Sequence, residues 1–98
     1  MSFSKKYLSE CIEICNTINP EEIEKMASLI SSIRDNNGRI FFLGVGGGAG
    51  HAGHAVNDFR KICSIECYAP TDNVSELTAR VNDDGWDTSY VNWLKGSK

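Results

Sequence analysis

The sequence lacks a long apolar run, a basic block and any internal repeat. Its longest apolar stretch, Ile40 to Val45, has six residues, whereas a helix that crosses a bilayer needs roughly 20, so we expect no membrane span. Ten lysines and arginines stand against thirteen aspartates and glutamates, which leaves a net charge of −3. Because no positive cluster is present to neutralise phosphates, a nucleic-acid partner is disfavoured. The start of the chain lacks the apolar core of a signal peptide, which indicates the cytoplasm.

The remaining composition is that of one small globular domain. The 98 residues are 41% hydrophobic and 23% charged, which excludes a disordered tail and a coiled coil. The four cysteines form two pairs with C-x3-C spacing, Cys11 with Cys15 and Cys63 with Cys67. Because zinc pairs usually have other spacings, buried reduced thiols are favoured over a zinc site or two disulfides.

Two amphipathic helices with a short connection are predicted at the start of the chain. The first covers residues 4 to 18 and the second begins at Pro20, each with apolar residues at helical spacing. Asn19 is suited to cap the second helix, and Pro20 to occupy its first position. Asp35 to Gly38 ends this helix with residues that tolerate left-handed backbone. The outer apolar surface of this helical hairpin is a candidate subunit contact.

The rest of the chain alternates strands and helices. Arg39 to Gly44 is typical of a strand buried on both faces, and a second short strand is predicted over residues 64 to 69. A glycine-rich loop and a helix from His51 to about residue 62 lie between them. Two further short helices are predicted over residues 75 to 81 and 88 to 95, separated by a turn. This order of elements is typical of a parallel α/β sheet.

Five glycines fall within the seven residues from Gly44 to Gly50. Without Cβ atoms, this backbone can turn sharply and let a ligand approach closely. Its N–H groups and the N-terminus of the next helix face the same space, as in a phosphate site. We therefore favour a site for a phosphorylated small molecule, with Gly46, Gly47 and Gly48 at the phosphate, over a tight turn without a ligand.

The glycine-rich loop fits neither of two nucleotide-binding motifs in full. Gly44, Gly46 and Ala49 fit the spacing of the dinucleotide fingerprint, but the second strand ends in Tyr68-Ala69-Pro70 instead of an acidic residue. A P-loop is excluded because no Gly-Lys-Ser/Thr sequence is present. A nucleotide-binding half-domain is therefore kept as a minor alternative.

A ridge of ionisable residues is predicted beside the glycine loop. His51, His54 and Asp58 are spaced i, i+3, i+7 and fall within roughly 60° of one another on a helix. An imidazole and a carboxylate one turn apart can bind a divalent metal or act as an acid–base pair. The alternative is a solvated helix face, but the position next to the glycine loop favours the functional interpretation.

The segment from Phe42 to Phe59 resembles the first phosphate loop and following helix of the sugar isomerase (SIS) superfamily, and most closely those of its phosphoheptose isomerase family. Residues 71 to 79, followed by Asn82-Asp83-Asp84-Gly85-Trp86, are similar to the next stretch of that family. The two leading helices also fit, so the resemblance covers residues 1 to 95.

This resemblance implies an α/β fold in two parts. Residues 1–38 would be the N-terminal helical hairpin, and residues 39–98 the first half of a SIS-type domain with a parallel sheet and a flavodoxin- or Rossmann-like three-layer fold. A homo-oligomer, dimer or tetramer, is implied. The resemblance also implies the aldose–ketose isomerisation of sedoheptulose 7-phosphate, which leads to bacterial heptose for lipopolysaccharide biosynthesis. The implied partner is a small phosphorylated sugar, with zinc as the metal and no organic cofactor.

Individual positions take their roles from the match with the family. His54 matches a metal-binding histidine, and Asp58 stands where the family has a catalytic and metal-binding glutamate. The resemblance therefore implies that both residues are catalytic and ligate zinc. The residues implied at the phosphate or substrate are Gly46, Gly47, Gly48, Ala49 and Asp83.

Departures from the family pattern favour a second hypothesis. Val45 and Gly48 replace the asparagine and serine of the family loop Gly-Asn-Gly-Gly-Ser, so backbone N–H groups alone would hold the phosphate. The resemblance spans about half of the family's length, and the family's second phosphate loop has no counterpart in it. Two functions of a SIS-type module stay open at this point, beside the nucleotide-binding alternative. One is an isomerase completed by further sequence or a partner, and the other is a non-catalytic phosphosugar-sensing or subunit-interaction module.

Overall fold

The computed structural model describes residues 2 to 98 and is mixed α/β, mostly helical, with one two-stranded parallel sheet. Its elements in chain order are α1 (Phe3–Thr17), α2 (Pro20–Asp35), β1 (Arg39–Phe41), α3 (Gly47–Lys61), β2 (Glu66–Tyr68), α4 (Val74–Asp84) and α5 (Ser89–Lys95). Within residues 2 to 98, no helix combines the length and the apolar content that crossing a membrane requires.

The described residues divide into two compact units, one that ends at Ser31 and one from Ser32 to Lys98. The functional division predicted between residues 38 and 39 stays a prediction. In the first unit, the Asn19 Oδ1 accepts a hydrogen bond from the Glu21 N–H at 3.0 Å, and α2 begins at Pro20. This confirms the predicted start of α2. The apolar side chains of the two helices are largely exposed and include Phe3, Tyr7, Leu8, Ile12, Ile14, Ile23 and Met26.

In the second unit, a helix packs on each face of the sheet. Side chains alternate between the two faces along an extended chain, so Phe41 and Phe42 point in opposite directions. The ring of Phe42 stacks on Phe59 of α3, with ring centroids 5.4 Å apart. The ring of Phe41 meets Trp93 of α5 edge-on at 5.3 Å. These two aromatic pairs fix α3 and α5 on opposite sides of β1.

The core of the second unit is small. Ile40 of β1 lies opposite Cys67 of β2 in the parallel register, and Cys67 is fully buried. All residues of β1 are half-buried, so the prediction of a strand buried on both faces is wrong. The reason is that a sheet of two strands leaves β1 without the neighbours that would cover it. The buried apolar residues are Ala52, Val56, Ile65, Cys67, Ala69 and Pro70.

The start of α3 also differs from the prediction. The helix begins at Gly47 and not at His51, and the Gly50 N–H already donates to the Gly46 carbonyl at 3.1 Å. Glycine's low helix propensity favoured a loop at these positions. Propensity is a weak guide here because it leaves out the close packing of this turn against Gly44. Most of the glycine-rich segment is therefore helical.

The turn predicted over residues 82 to 85 is largely helical as well. Asn73 caps α4, since its Oδ1 accepts from the Glu76 N–H at 3.0 Å, and the helix continues to Asp84. Only Gly85, with φ 88°, leaves the helix. This extension places Asp83 in the last turn of α4.

All four cysteines are free thiols, as predicted. Their burial differs from the prediction: Cys67 is buried, Cys15 is exposed, and the other two are half-buried. Burial raises the pKa of the Cys67 thiol because the thiolate would lose its hydration, although the nearby Arg60 guanidinium acts in the opposite direction. Cys67 is therefore a core residue and not a reactive one.

Candidate functional site

The turn from β1 into α3 depends on two glycines. A Cβ atom at Gly44 would lie 2.2 Å from the carbonyl oxygen of Gly48, so no larger residue fits. Gly46, the N-cap of α3, has φ 58° and ψ −122°, a conformation that residues with side chains rarely adopt. These two glycines let the helix begin almost directly after the strand.

The N-cap and first turn of α3 present three backbone N–H groups, of Gly46, Gly47 and Ala49, that have no hydrogen-bond partner within residues 2 to 98. The Gly48 N–H is occupied, because it donates to the Val45 carbonyl at 3.0 Å. No acidic side chain lies in the first turn of α3, whereas α2 has Glu21 and Glu22 there and α4 has Glu76. The positive end of α3 is thus open to an external anion.

Four more glycines lie in α3 where packing does not require them. Apart from its chain neighbours and the backbone of its own helix, a Cβ atom at Gly47, Gly48, Gly50 or Gly53 would meet no atom within 4 Å. In a helix interior, glycine costs about 0.5–1 kcal/mol relative to alanine, and no steric conflict in the described chain requires that cost. The N-terminal half of α3 therefore has a bare backbone surface that a ligand can approach closely.

The predicted ridge on α3 contains one direct pair. The His54 Nε2 lies 3.1 Å from the Asp58 Oδ2, with 75% and 43% of the two side chains exposed. His51 is exposed and makes no ion pair in the described chain. Within residues 2 to 98, no group of three or more histidines, cysteines, aspartates or glutamates is placed to hold a metal ion. What the pair can do is share a proton and hydrogen-bond to ligand hydroxyl groups.

The pair lies on the same face of α3 as Gly47, one of the three residues with an open amide. His54 follows Gly47 by seven residues, which is about 10 Å along the axis and nearly two full turns. A phosphate at the N-terminus of α3 would therefore place the distal carbons of an extended sugar phosphate near the pair. This spacing suits a ligand with an anionic end and a hydroxylated chain.

The structure does not join Asp83 to this surface. Asp83 is exposed, and its Oδ1 accepts a hydrogen bond from the Asn82 Nδ2 at 3.1 Å. In the described part of the chain, no hydrogen bond or ion pair connects it to α3. Its role at a substrate stays a prediction.

Sequence reasoning missed one residue at the glycine turn. The hydroxyl of Tyr90 in α5 donates a 2.6 Å hydrogen bond to the Gly44 carbonyl, across 46 positions of sequence. Tyr90 is readable from the sequence only as an apolar member of a short helix. No local pattern connects it with the turn, so its role depends on the tertiary fold alone.

A cavity of about 220 Å³ lies at the opposite end of the sheet. The Arg34 Nη1 donates to the Cys63 carbonyl there, at 3.3 Å. Asn37 and Ser64, which both have φ 56°, follow the ends of α2 and α3 in the manner of helix caps. Helix termination therefore accounts for much of the polar part of its lining. The cavity is lined by Arg34, Asn37, Gly38, Ser64, Ile65 and Glu66.

Comparisons with known proteins give no match. No protein-family model matches the chain, and no curated protein or solved structure matches it at a significant level. The function is therefore proposed from the geometry of α3 and its neighbours, together with the resemblance read from the sequence.

Proposed function

We propose that the chain binds a phosphorylated sugar at the N-terminal end of α3. The observation behind this proposal is the set of open N–H groups of Gly46, Gly47 and Ala49 on a helix end without acidic side chains. The bare backbone at the glycines of α3 leaves space for the ligand. A phosphate accepts several such hydrogen bonds at once and is stabilised by the positive helix end. Gly48 is not assigned to the phosphate because its N–H is already used.

The position of this turn supports a SIS-type three-layer domain as the finer description of the fold. The turn follows the carboxyl end of a parallel strand, which is where open α/β sheets bind their ligands. One helix packs on each face of the sheet, as the contacts of Phe41 and Phe42 show. A complete sheet of this type needs strands beyond β1 and β2, which we propose come from further sequence or a partner chain.

We propose that the His54–Asp58 pair carries out aldose–ketose isomerisation. The resemblance to the phosphoheptose isomerase family implies the rest of this proposal: sedoheptulose 7-phosphate as the substrate, and cytoplasmic heptose metabolism that feeds lipopolysaccharide biosynthesis. In this proposal, the Asp58 carboxylate removes a proton from C1 of the ketose, which gives a 1,2-enediolate with its negative charge on O2. The O1 proton moves to O2, and the protonated Asp58 returns its proton to C2, so that C1 becomes the aldehyde carbon. C1 is oxidised and C2 reduced within one molecule, so no redox partner is needed. His54, 3.1 Å from Asp58, orients the carboxylate.

The proposed reaction does not use a zinc ion. Catalytic zinc sites use three protein ligands and keep one position open. His54 and Asp58 supply two ligands, and no third ligating residue is grouped with them in residues 2 to 98. The residues present therefore do not fit a complete catalytic zinc site.

The catalytic proposal is tested by exchange of substrate hydrogens. With sedoheptulose 7-phosphate in D2O, we expect the chain to introduce deuterium at C1, followed by NMR, with and without added zinc. Asp58→Asn should slow the exchange at least about 100-fold because it removes the base. Asp58→Glu, which restores the carboxylate of the family, should retain most of the activity.

A sensing module is the second candidate function. Val45, which is 64% exposed, and Gly48 stand where the family has polar side chains, so two ligand contacts are missing. Calorimetry that detects sedoheptulose 7-phosphate binding, combined with no deuterium exchange in wild type, would contradict catalysis and support this function.

We also propose that α1 packs against a second copy of the chain. A 15-residue helix is marginal in water without tertiary contacts. Lys5 and Lys6 lie at the start of α1, and Glu10 and Glu13 lie further along it. These charges lie on other faces of α1 than its apolar stripe, so pairing of two copies through the stripe leaves them in water. The exposed apolar residues it would bury are Tyr7, Leu8 and Ile12.

Light scattering after size-exclusion chromatography tests this pairing. We expect the wild-type chain to have at least twice the mass of one chain, and Ile12→Glu to have the mass of a single chain, because it places a charge in the contact. Ser9→Glu, which adds the same charge away from the apolar stripe, should keep the wild-type mass. A monomeric wild type, or an unchanged mass for Ile12→Glu, would contradict the proposal.

A further inference from the structure

We propose that Tyr90 is a positioning residue that holds the glycine turn in the conformation that binds the anion. This inference rests on the proposed function for its consequence at the ligand, but its structural part does not depend on a ligand. The hydrogen bond from the Tyr90 hydroxyl to the Gly44 carbonyl is 2.6 Å long and partly buried. It connects α5 to the first residue of the turn.

The turn is held on two successive peptide groups. Tyr90 binds the carbonyl of Gly44, and the Gly48 N–H binds the carbonyl of Val45 at 3.0 Å. A carbonyl and the following N–H belong to one rigid plane. The hydrogen bond to the Val45 carbonyl therefore fixes the direction of the Gly46 N–H, and the hydrogen bond to the Gly44 carbonyl fixes the preceding peptide group, between Gly44 and Val45. Together they orient the open amides at the start of α3.

The tyrosine is itself held in place. Its ring packs on Trp86 with centroids 5.4 Å apart, and the neighbouring Ser89 is buried, with its hydroxyl bound to the Trp86 carbonyl at 2.7 Å. Further along α5, Trp93 packs on Phe41 of β1. Tyr90 is therefore a hydrogen-bond donor held in place by packing. The turn that it contacts is rich in glycine, so loss of this hydrogen bond would increase the backbone freedom of the turn more than that of α5.

The Tyr90 hydroxyl donates its proton in the hydrogen bond to the Gly44 carbonyl, so we assign this side chain no proton transfer with the ligand. Its effect is on binding: without the hydroxyl, the amides must be ordered when the anion arrives, which lowers affinity. The chain also offers a matched control. Tyr68 belongs to the same unit, and its hydroxyl has no hydrogen bond in residues 2 to 98, although its ring packs under Arg60.

Hydrogen exchange of wild type, Tyr90→Phe and Tyr68→Phe tests the inference without a ligand. We expect Tyr90→Phe to speed exchange of the two hydrogen-bonded amides of the turn, those of Gly48 and Gly50, about tenfold, the loss of one hydrogen bond, with the amides of β2 unchanged. Tyr68→Phe should leave the turn as in wild type. Unchanged exchange in the turn, or equal acceleration throughout the second unit, would overturn the inference.

Calorimetry with sedoheptulose 7-phosphate then separates this inference from the proposed function. If wild type binds, Tyr90→Phe should bind about tenfold more weakly and Tyr68→Phe with wild-type affinity; equal affinity for all three would overturn the positioning role. If wild type does not bind while Tyr90→Phe loosens the turn, the proposed function fails and the structural role of Tyr90 is supported.

Discussion

Gly44→Ala is expected to abolish the folded state of the second unit or to leave it barely stable. The new Cβ atom would lie 2.2 Å from the Gly48 carbonyl oxygen and 2.3 Å from its carbonyl carbon. Both are backbone atoms of α3, so relief requires the helix to move away from β1. Overpacking a core commonly lowers the free energy of unfolding by about 1–3 kcal/mol. We expect Gly44→Ala to lower it by about 3 kcal/mol or more, because the new atom meets backbone that cannot rotate away. Urea unfolding followed by circular dichroism measures the loss.

Gly53→Ala is the control for this experiment. A Cβ atom at Gly53 meets nothing within 4 Å, so the same chemical change should stabilise α3 by about 0.5–1 kcal/mol. The two substitutions should therefore shift the urea midpoint in opposite directions. If Gly44→Ala unfolds at the wild-type midpoint, the close approach of the turn to α3 is not present in solution.

Gly47→Glu is expected to lower the affinity for a sugar phosphate at least about 100-fold, since like charges in contact cost several kcal/mol. Gly47 is the first residue of α3, and a side chain there has open space. A carboxylate at this point would compete with the phosphate for the open amides and repel it. Calorimetry with sedoheptulose 7-phosphate gives the dissociation constants.

Gly47→Gln has nearly the same shape without the charge, so it isolates the electrostatic effect. We expect Gly47→Gln to lower the affinity less than about tenfold, because a neutral side chain leaves the positive end of the α3 dipole available to the phosphate. Thermal unfolding excludes misfolding as the cause: a glutamate in the first turn stabilises a helix by about 0.3–1 kcal/mol, so the weaker binder should be the more stable protein. Equal affinities for Gln and Glu would contradict an anion site at this turn.

The local features of the site could be predicted from the sequence because they depend on neighbours in the chain. His54 and Asp58 are one helical turn apart, so their pairing follows from helix geometry and is observed at 3.1 Å. Asn19 and Pro20 mark the start of α2 through their capping chemistry. The need for glycine at Gly46 was readable in the same way, as a sharp turn between a strand and a helix.

The features that could not be predicted depend on tertiary contacts. Glycine content favoured a loop where α3 has its first turn, because propensity does not include the packing of that turn against Gly44. The occupied N–H of Gly48 follows from this early helix start. Tyr90 approaches the turn from 46 residues away, and only the packing of α5 against the sheet brings it there.

The most direct test of an anion site at the start of α3 is an NMR titration of the 15N-labelled chain with sedoheptulose 7-phosphate. The amide resonances of Gly46, Gly47 and Ala49 should move furthest and saturate together, while the Gly48 amide, which is bound to Val45, moves less. The His54 ring resonances should follow at the same midpoint. Shifts that centre elsewhere, or amides of α3 that do not respond at saturating ligand, would contradict the site.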